Sequence, residues 1–304
     1  MSGLDPNQTQ YLSLAIKVGT IRGAAELLGV EPSTVSRQIS ALEKQLGTTL
    51  IERGRKGVRL TEAGDLLAAY LRRQNGELES LQSEFSALQQ LQRGTISLSV
   101  GEGFIGDLVS TALALFSKEH PGITYNITYG STKQVMHDVK TDRAHIGLAY
   151  DAIPDKQIKT LTQVKQPLRL LIAPHSQYAK LQEPLDIKEL TKIPCAILNR
   201  GMGIGTLLNR IEGLHNIQFN AVVKTNSIAV LKNFVREDMG VTFLPEFVVV
   251  REILDKQIIA KKITVPEFSL GESHLIVRQG RRLPDAAISL TSYLQQHMST
   301  YKKK

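Results

Sequence analysis

Apolar positions in the first 61 residues recur at helical spacing. Leu12, Ala15, Ile16 and Val18 mark one face of a first helix that ends near Gly19. The stretch "IRGAAELLG" predicts a second helix, in which small Ala24 and Ala25 allow close packing and Gly29 suits a left-handed C-terminal turn. Pro32 then fits the first turn of a third helix, "EPSTVSRQISALEKQLG", whose Val35, Ile39, Leu42 and Leu46 form one buried stripe. Helix, tight glycine turn, helix is helix-turn-helix spacing. Next, "TTLIERGRKGVRLT" sets Leu50 and Ile51 against Val58 and Leu60 around a basic tip, which predicts a two-stranded wing.

From Glu62 to about Gln92, with Thr61 as its N-cap, the pattern predicts one long helix. Leu67, Leu71, Gln74, Leu78, Leu81, Phe85 and Leu88 alternate by four and three along it. A rod of roughly 45 Å with one apolar seam points to pairing with the same helix of a second chain. Packing on its own C-terminal domain is the alternative, and Gly76 argues against a straight rod. After Arg93-Gly94 the period changes. "TISLSVG", "ITYNITYG" and "HIGLAY" read as strands separated by helical "GDLVSTALALFSKEH" and "STKQVMHDVKTD". A second set runs through "LRLLIAP", "IPCAIL", "IQFNAVVK" and "GVTFLP". Alternating strands and helices predict mostly parallel sheets in two subdomains, with a ligand cleft between them. The expected organisation is α+β multidomain. Residues 1–61 form a winged helix-turn-helix, 62–93 a linker helix, and 94–304 a two-lobed α/β domain. Its first lobe covers about 94–167 and 273–304, and its second about 168–272.

Composition narrows the class. A hydrophobic content of 42% and a charged content of 22% are those of a soluble globular protein, and no apolar run is long enough to span a bilayer. "MSGLDPNQTQ" lacks the regions of a signal peptide, and a single cysteine excludes a disulfide framework, so a cytoplasmic location is expected. Cys195, in "IPCAILN", reads as a small core residue. The formal charge of +8 is unevenly spread: residues 1–93 carry 11 Lys/Arg against 10 Asp/Glu, and residues 94–304 carry 26 against 19. Net charge therefore says little about nucleic acid, and local clustering has to carry that argument.

The third helix supplies it. A helix entering the major groove needs short side chains at its N-terminal end, hydroxyls for phosphates and an arginine that reaches guanine edges. Ser33, Thr34, Ser36 and Arg37 form that set, and Arg53, Arg55, Lys56 and Arg59 of the wing would track phosphates beside it. Read alone, the same residues also fit a solvated helix face and a surface hairpin.

The wider stretch "AAELLGVEPSTVSRQISALEKQLGTTLIERGRKGVRLTEAG" resembles the N-terminal domain of LysR-type transcriptional regulators. "FSKEHPGITYNITYG" and "FVREDMGVTFLP" are similar to later segments of that family, in the family's order. The resemblance implies double-stranded promoter DNA as partner, a dimer or tetramer, RNA polymerase as a further candidate partner, and a small, anionic effector between the lobes. Three positions depart from the family pattern. Pro32 and Ser33 stand where a glutamine and proline commonly open the recognition helix. His145 replaces a frequent aspartate, and Asp238 the first glycine of a pair, which predicts a differently turned helix end.

Effector candidates lie in loops that follow strands. Gly101, Glu102 and Gly103 would offer backbone N–H groups, and Ser131 and Thr132 the N-terminus of a helix. Arg200, Gly201 and Gly203 lie in "NRGMGIGT", and Asn226 and Ser227 in "TNSIA". Each also fits a simpler role, as a helix cap or a turn. "GMGIG" lacks dinucleotide-site spacing, the seven histidines lack metal-binding spacing, and Glu102 reads as a solvated loop carboxylate without a partner for acid–base work. No metal, cofactor or enzymatic activity is expected. Two alternatives remain at this level: a metabolite receptor or enzyme with an N-terminal docking module, and a non-specific nucleoid protein.

Overall fold

The computed structural model describes residues 4–54, 57–88, 94–183 and 185–302. Arg55, Lys56 and residues 89–93 of the expected linker lie outside the described residues, as do the side chains of Arg53, Phe85 and Leu88. The chain divides into two compact units, Met1–Leu78 and Glu79–Lys304.

In the first unit, helices α1 (Pro6–Val18), α2 (Ile21–Leu28) and α3 (Pro32–Leu46) each end on a left-handed glycine, at Gly19, Gly29 and Gly47. Thr20 caps α2 by accepting from the Gly23 N–H at 3.0 Å. Leu12, Ala15, Ala24, Ala25, Val35, Ile39 and Leu42 are buried together as one core. The small alanines of α2 let α1 and α3 close over it. The wing pairs β1 (Ile51–Gly54) with β2 (Gly57–Leu60), Ile51 opposite Leu60. It is fixed at both ends. The Glu43 carboxylate accepts from the Leu50 and Ile51 N–H groups at 2.8 and 3.2 Å, and Val58 N–H donates to the Gly19 carbonyl at 2.8 Å. Gly57, at φ +109°, is required there because a Cβ would lie 2.3 Å from that carbonyl. Leu42 is fully buried, so Leu42→Ala is expected to cost this unit about 2–5 kcal/mol, read from its unfolding midpoint in urea.

Helix α4 (Glu62–Leu88) starts where the Thr61 hydroxyl accepts from the Gly64 N–H at 3.1 Å. Leu67 is buried, but Leu78 and Leu81 of the seam remain 54% and 44% exposed, and Gly76 does not break the helix.

The second unit holds two lobes. Its chain runs through β3 (Gly94–Val100), a helical turn Glu102–Phe104, α5 (Ile105–Asp107), a π-helical stretch Leu108–Leu113 and α6 (Ala114–Glu119). Strand β4 (Ile123–Tyr129), α7 (Thr132–Lys140), β5 (Ile146–Tyr150) and β6 (Ile158–Lys165) follow. The second lobe is β7 (Leu168–Ile172), α8 (Ile187–Leu190), β8 (Cys195–Leu198), α9 (Gly203–His215), β9 (Ala221–Thr225), α10 (Ile228–Arg236), β10 (Val241–Pro245), α11 (Val250–Leu254) and β11 (Ile259–Lys262). The chain then returns to the first lobe as β12 (Glu272–Arg278) and α12 (Asp285–His297).

The two five-stranded sheets are ordered β4-β3-β5-β12-β6 and β11-β7-β10-β8-β9. The expectation of mostly parallel sheets needs correction. Parallel pairing is confined to β4-β3-β5 and β9-β8-β10, while β12 and β7 each pair antiparallel with both neighbours. The strands around the two crossings between lobes run against the others, because each begins where the chain changes lobe rather than after a crossover helix. Apolar residues of both sheets, their helices and the buried Cys195 form a continuous core, in which burial pushes the Cys195 thiol up to about 12. Asp238 also corrects an expectation. At φ +52° it adopts the left-handed conformation itself, which an aspartate tolerates, so the helix end turns as it would at glycine.

Candidate functional site

In the first unit, α3 separates its residues cleanly. Val35, Ile39 and Leu42 face the core, while Ser33 and Arg37 are exposed and Thr34 and Ser36 half-buried. Arg59 is exposed on β2, opposite Glu52 in register. A helix end with short side chains, one long cation and a hairpin beside it has the form of a groove-reading element.

In the second unit, the first-lobe turn at Glu102–Phe104 lies against the second lobe. Phe104 and Phe247 rings are 5.0 Å apart, and a Cβ on Gly103 would lie 3.1 Å from a Val248 methyl. Gly203 at the start of α9 approaches still closer: its Cβ would stand 2.2 Å from the Tyr150 carbonyl oxygen and 2.8 Å from Thr132 Oγ1. That carbonyl accepts from Thr132 Oγ1 at 2.8 Å. At the crossing between lobes, Tyr150 OH donates to Gln166 O at 2.7 Å, and Gln166 N–H to Gly271 O at 2.8 Å.

These contacts leave only about 40 Å³ deep in the cleft, among Gly101, Phe104, Thr132, Tyr150, Ile204 and Ile228. Further out the cleft widens to about 390 Å³, lined by Glu102, Tyr129, Ser131, Lys133, Arg200 and Asn226. An apolar floor under a mouth with two cations suits a small ligand with an anionic group.

Residues 6–65 match the family model described as bacterial regulatory helix-turn-helix protein, lysR family, and residues 89–299 match the LysR substrate binding domain. The chain belongs to the LysR family. It is 25% identical over 253 residues to a probable RuBisCO transcriptional regulator of Porphyra purpurea, covering 81% of this chain and 80% of that protein. Its fold is similar to full-length CbnR complexed with its target DNA, with a TM-score of 0.64, 18% identity, and 96% and 99% of the two chains covered. It is also similar to the effector binding domain of QuiR in complex with shikimate, with a TM-score of 0.56, 17% identity, and 67% and 96% covered. The protein is thus a DNA-binding transcriptional regulator with an effector-binding domain, and not an enzyme. Among the described residues no helix is long and apolar enough to cross a membrane, and no group of three or more His, Cys, Asp or Glu could hold a metal.

Within this LysR regulator, the cleft brings most of the sequence-named residues together but changes the role of several. Gly101 N–H is already donated to Leu148 O at 2.8 Å, so it is not available to a ligand. Gly203 serves the close approach to Tyr150. Ser131 caps α7, accepting from Gln134 N–H at 3.2 Å. Asn226 accepts from Asn199 Nδ2 at 2.8 Å, and Gly201, at φ +103°, lines the outer cleft with Arg200. Ser227 does not cap its own helix. Its hydroxyl donates to Glu102 at 3.1 Å, and the Glu102 carboxylate also accepts from Ile228 and Ala229 N–H at 2.9 and 3.4 Å. Glu102 is therefore not a solvated loop carboxylate, because its partners belong to the other lobe. Sequence reasoning missed Tyr129 and Lys133 at the mouth and Phe104, Tyr150, Ile204 and Ile228 deeper in the cleft; Tyr150, in the last strand position before the loop, gave a faint signal.

Gly203→Ala is expected to hold the lobes apart. Amide exchange should rise around Thr132, Tyr150 and the start of α9, with the sheet interiors unaffected. Unchanged exchange there would show that the close approach does not constrain the cleft.

A second cluster ties the last turns of α4 to the first lobe. His145 Nδ1 accepts from Ser97 N–H at 3.2 Å, which leaves Nε2 to donate to Glu79 at 3.3 Å. This hydrogen bond, with the charge of Arg281, outweighs burial and holds the Glu79 carboxyl below its ordinary 4.5. The stabilisation is complete above that value and is lost as pH falls through the lowered one.

Proposed function

We propose that this LysR-family regulator reads a pseudo-palindromic promoter site with Ser33, Thr34, Ser36 and Arg37 of two recognition helices, and that a small anionic metabolite in the interlobe cleft controls it. The observation that carries the DNA reading is the division of α3, with apolar residues buried and Arg37 exposed among hydroxyls. Arg53, Arg55 and Lys56 of the wing would neutralise phosphates and add affinity rather than discrimination. The exposed Leu78 and Leu81 of α4 support pairing with a second chain, which would set the half-site spacing. Binding to RNA polymerase at the promoter and action in the cytoplasm go with this role.

For the effector, Lys133 and Arg200 beside Ser131 support an anionic group, as does the carboxylate of shikimate in the QuiR complex. No further cofactor enters this reading. The experiment is selection and sequencing of genomic fragments retained by purified protein at near-physiological salt, since low salt inflates non-specific binding. A few enriched promoter fragments sharing an inverted repeat are expected. Uniform recovery would sink sequence-specific recognition.

A further inference from the structure

The mouth of the cleft already contains a carboxylate, and it belongs to the protein. Glu102, just after β3 in the first lobe, reaches the N-terminus of α10 in the second. It accepts there from Ser227 Oγ, Ile228 N–H and Ala229 N–H at 3.1, 2.9 and 3.4 Å. These are groups that would otherwise receive a ligand anion at a helix N-terminus. Ser227, the residue at the cap position of α10, makes no cap of its own. The nearby deep cleft is nearly filled, at about 40 Å³, with Phe104 on Phe247 and Gly203 against the Tyr150 carbonyl.

We propose that Glu102 is a resident carboxylate that holds the lobes together by occupying the position an effector's anionic group would take, so that an anionic effector acts by displacing it. The cations at the mouth, Lys133 and Arg200, bring a second anion close to Glu102, and the two like charges compete for one set of donors. A ligand without such a group leaves the contact intact. Displacement removes a link between the lobes, which supplies the unequal binding to two arrangements that regulation requires. The proposal rests on the cleft being the effector site, but its test needs neither the effector nor DNA.

The test is amide hydrogen exchange on the full-length chain, wild type beside Glu102→Ala and Glu102→Gln, with acetate as the probe anion. In Glu102→Ala, exchange at Ile228 and Ala229 is expected to rise on the order of ten- to hundredfold, the range for a lost charged hydrogen bond. Glu102→Gln keeps the shape and should give a smaller rise at the same two amides. Acetate should reverse the rise in Glu102→Ala and leave wild type unchanged. If Glu102→Ala does not fold, the Glu102→Gln rise decides alone. Unchanged exchange at both amides would overturn the tether, and a rise that acetate does not reverse would overturn the anion position. Failure of the regulator reading would show separately, in the selection of DNA fragments.

Discussion

Replacing Arg37 by alanine is expected to abolish discrimination between the operator and unrelated DNA while leaving the N-terminal unit folded. Arg37 is exposed on the face of α3 opposite Val35, Ile39 and Leu42, so its removal takes nothing from the core. A bidentate arginine–guanine contact discriminates by about 1–3 kcal/mol, and a dimer makes it twice, so the loss should reach about 2–6 kcal/mol on a symmetric site. That corresponds to roughly thirty- to twenty-thousandfold in affinity. Anisotropy titrations on an enriched fragment and on a scrambled one separate this from simple loss of charge. Arg37→Ala should weaken the first far more than the second. Arg59→Ala, on the wing, should weaken both alike and reduce the salt dependence. Equal weakening of both fragments by Arg37→Ala would reassign Arg37 to the phosphates and leave base reading to other residues.

What could be read from the sequence follows how far apart the interacting residues are. The N-terminal unit was legible because its logic is local. Gly19, Gly29 and Gly47 end helices within one turn of the apolar stripe they terminate, and Pro32 opens the next. The strands bracketed by helices were legible too, since β5 and β10 are short, mostly apolar runs buried in the sheets and β3 alternates apolar residues with Thr and Ser. Strand β6 was missed. Its "IKTLTQVK" lies at a sheet edge, where half-exposed positions blur the alternation. Placement of the cleft followed from the strand ends, but the state of its residues did not. Glu102 has partners 125 to 127 positions away, and Gly101 spends its N–H on the neighbouring strand. Such facts depend on how two lobes meet, which no local spacing encodes. His145 is similar: as a departure from the family pattern it was visible, but its bond to Glu79 depends on where the end of α4 lies.

The largest loss of stability is expected from Asp142→Asn, at the base of that second cluster. The Asp142 side chain is only 1% exposed, and its Oδ1 accepts from both Arg278 Nε and Arg281 Nη1 at 2.8 Å. The Arg281 side chain is 5% exposed, and its other carboxylate neighbour, Glu79, is 3.9 Å away. Asparagine fits the space and tolerates the left-handed backbone at φ +58°, so the substitution removes charge and little else. Two guanidinium groups would then face one another without the carboxylate between them. Uncompensated buried charge costs about 3–5 kcal/mol, and the urea midpoint of the C-terminal unit should fall accordingly. Arg281→Met should cost less, because Asp142 keeps Arg278 and the methionine fills the buried volume. That ordering is the test. If Arg281→Met proves as damaging as Asp142→Asn, the cluster depends on Arg281 itself, and its reach towards Glu79 on α4 matters more than neutralising Asp142.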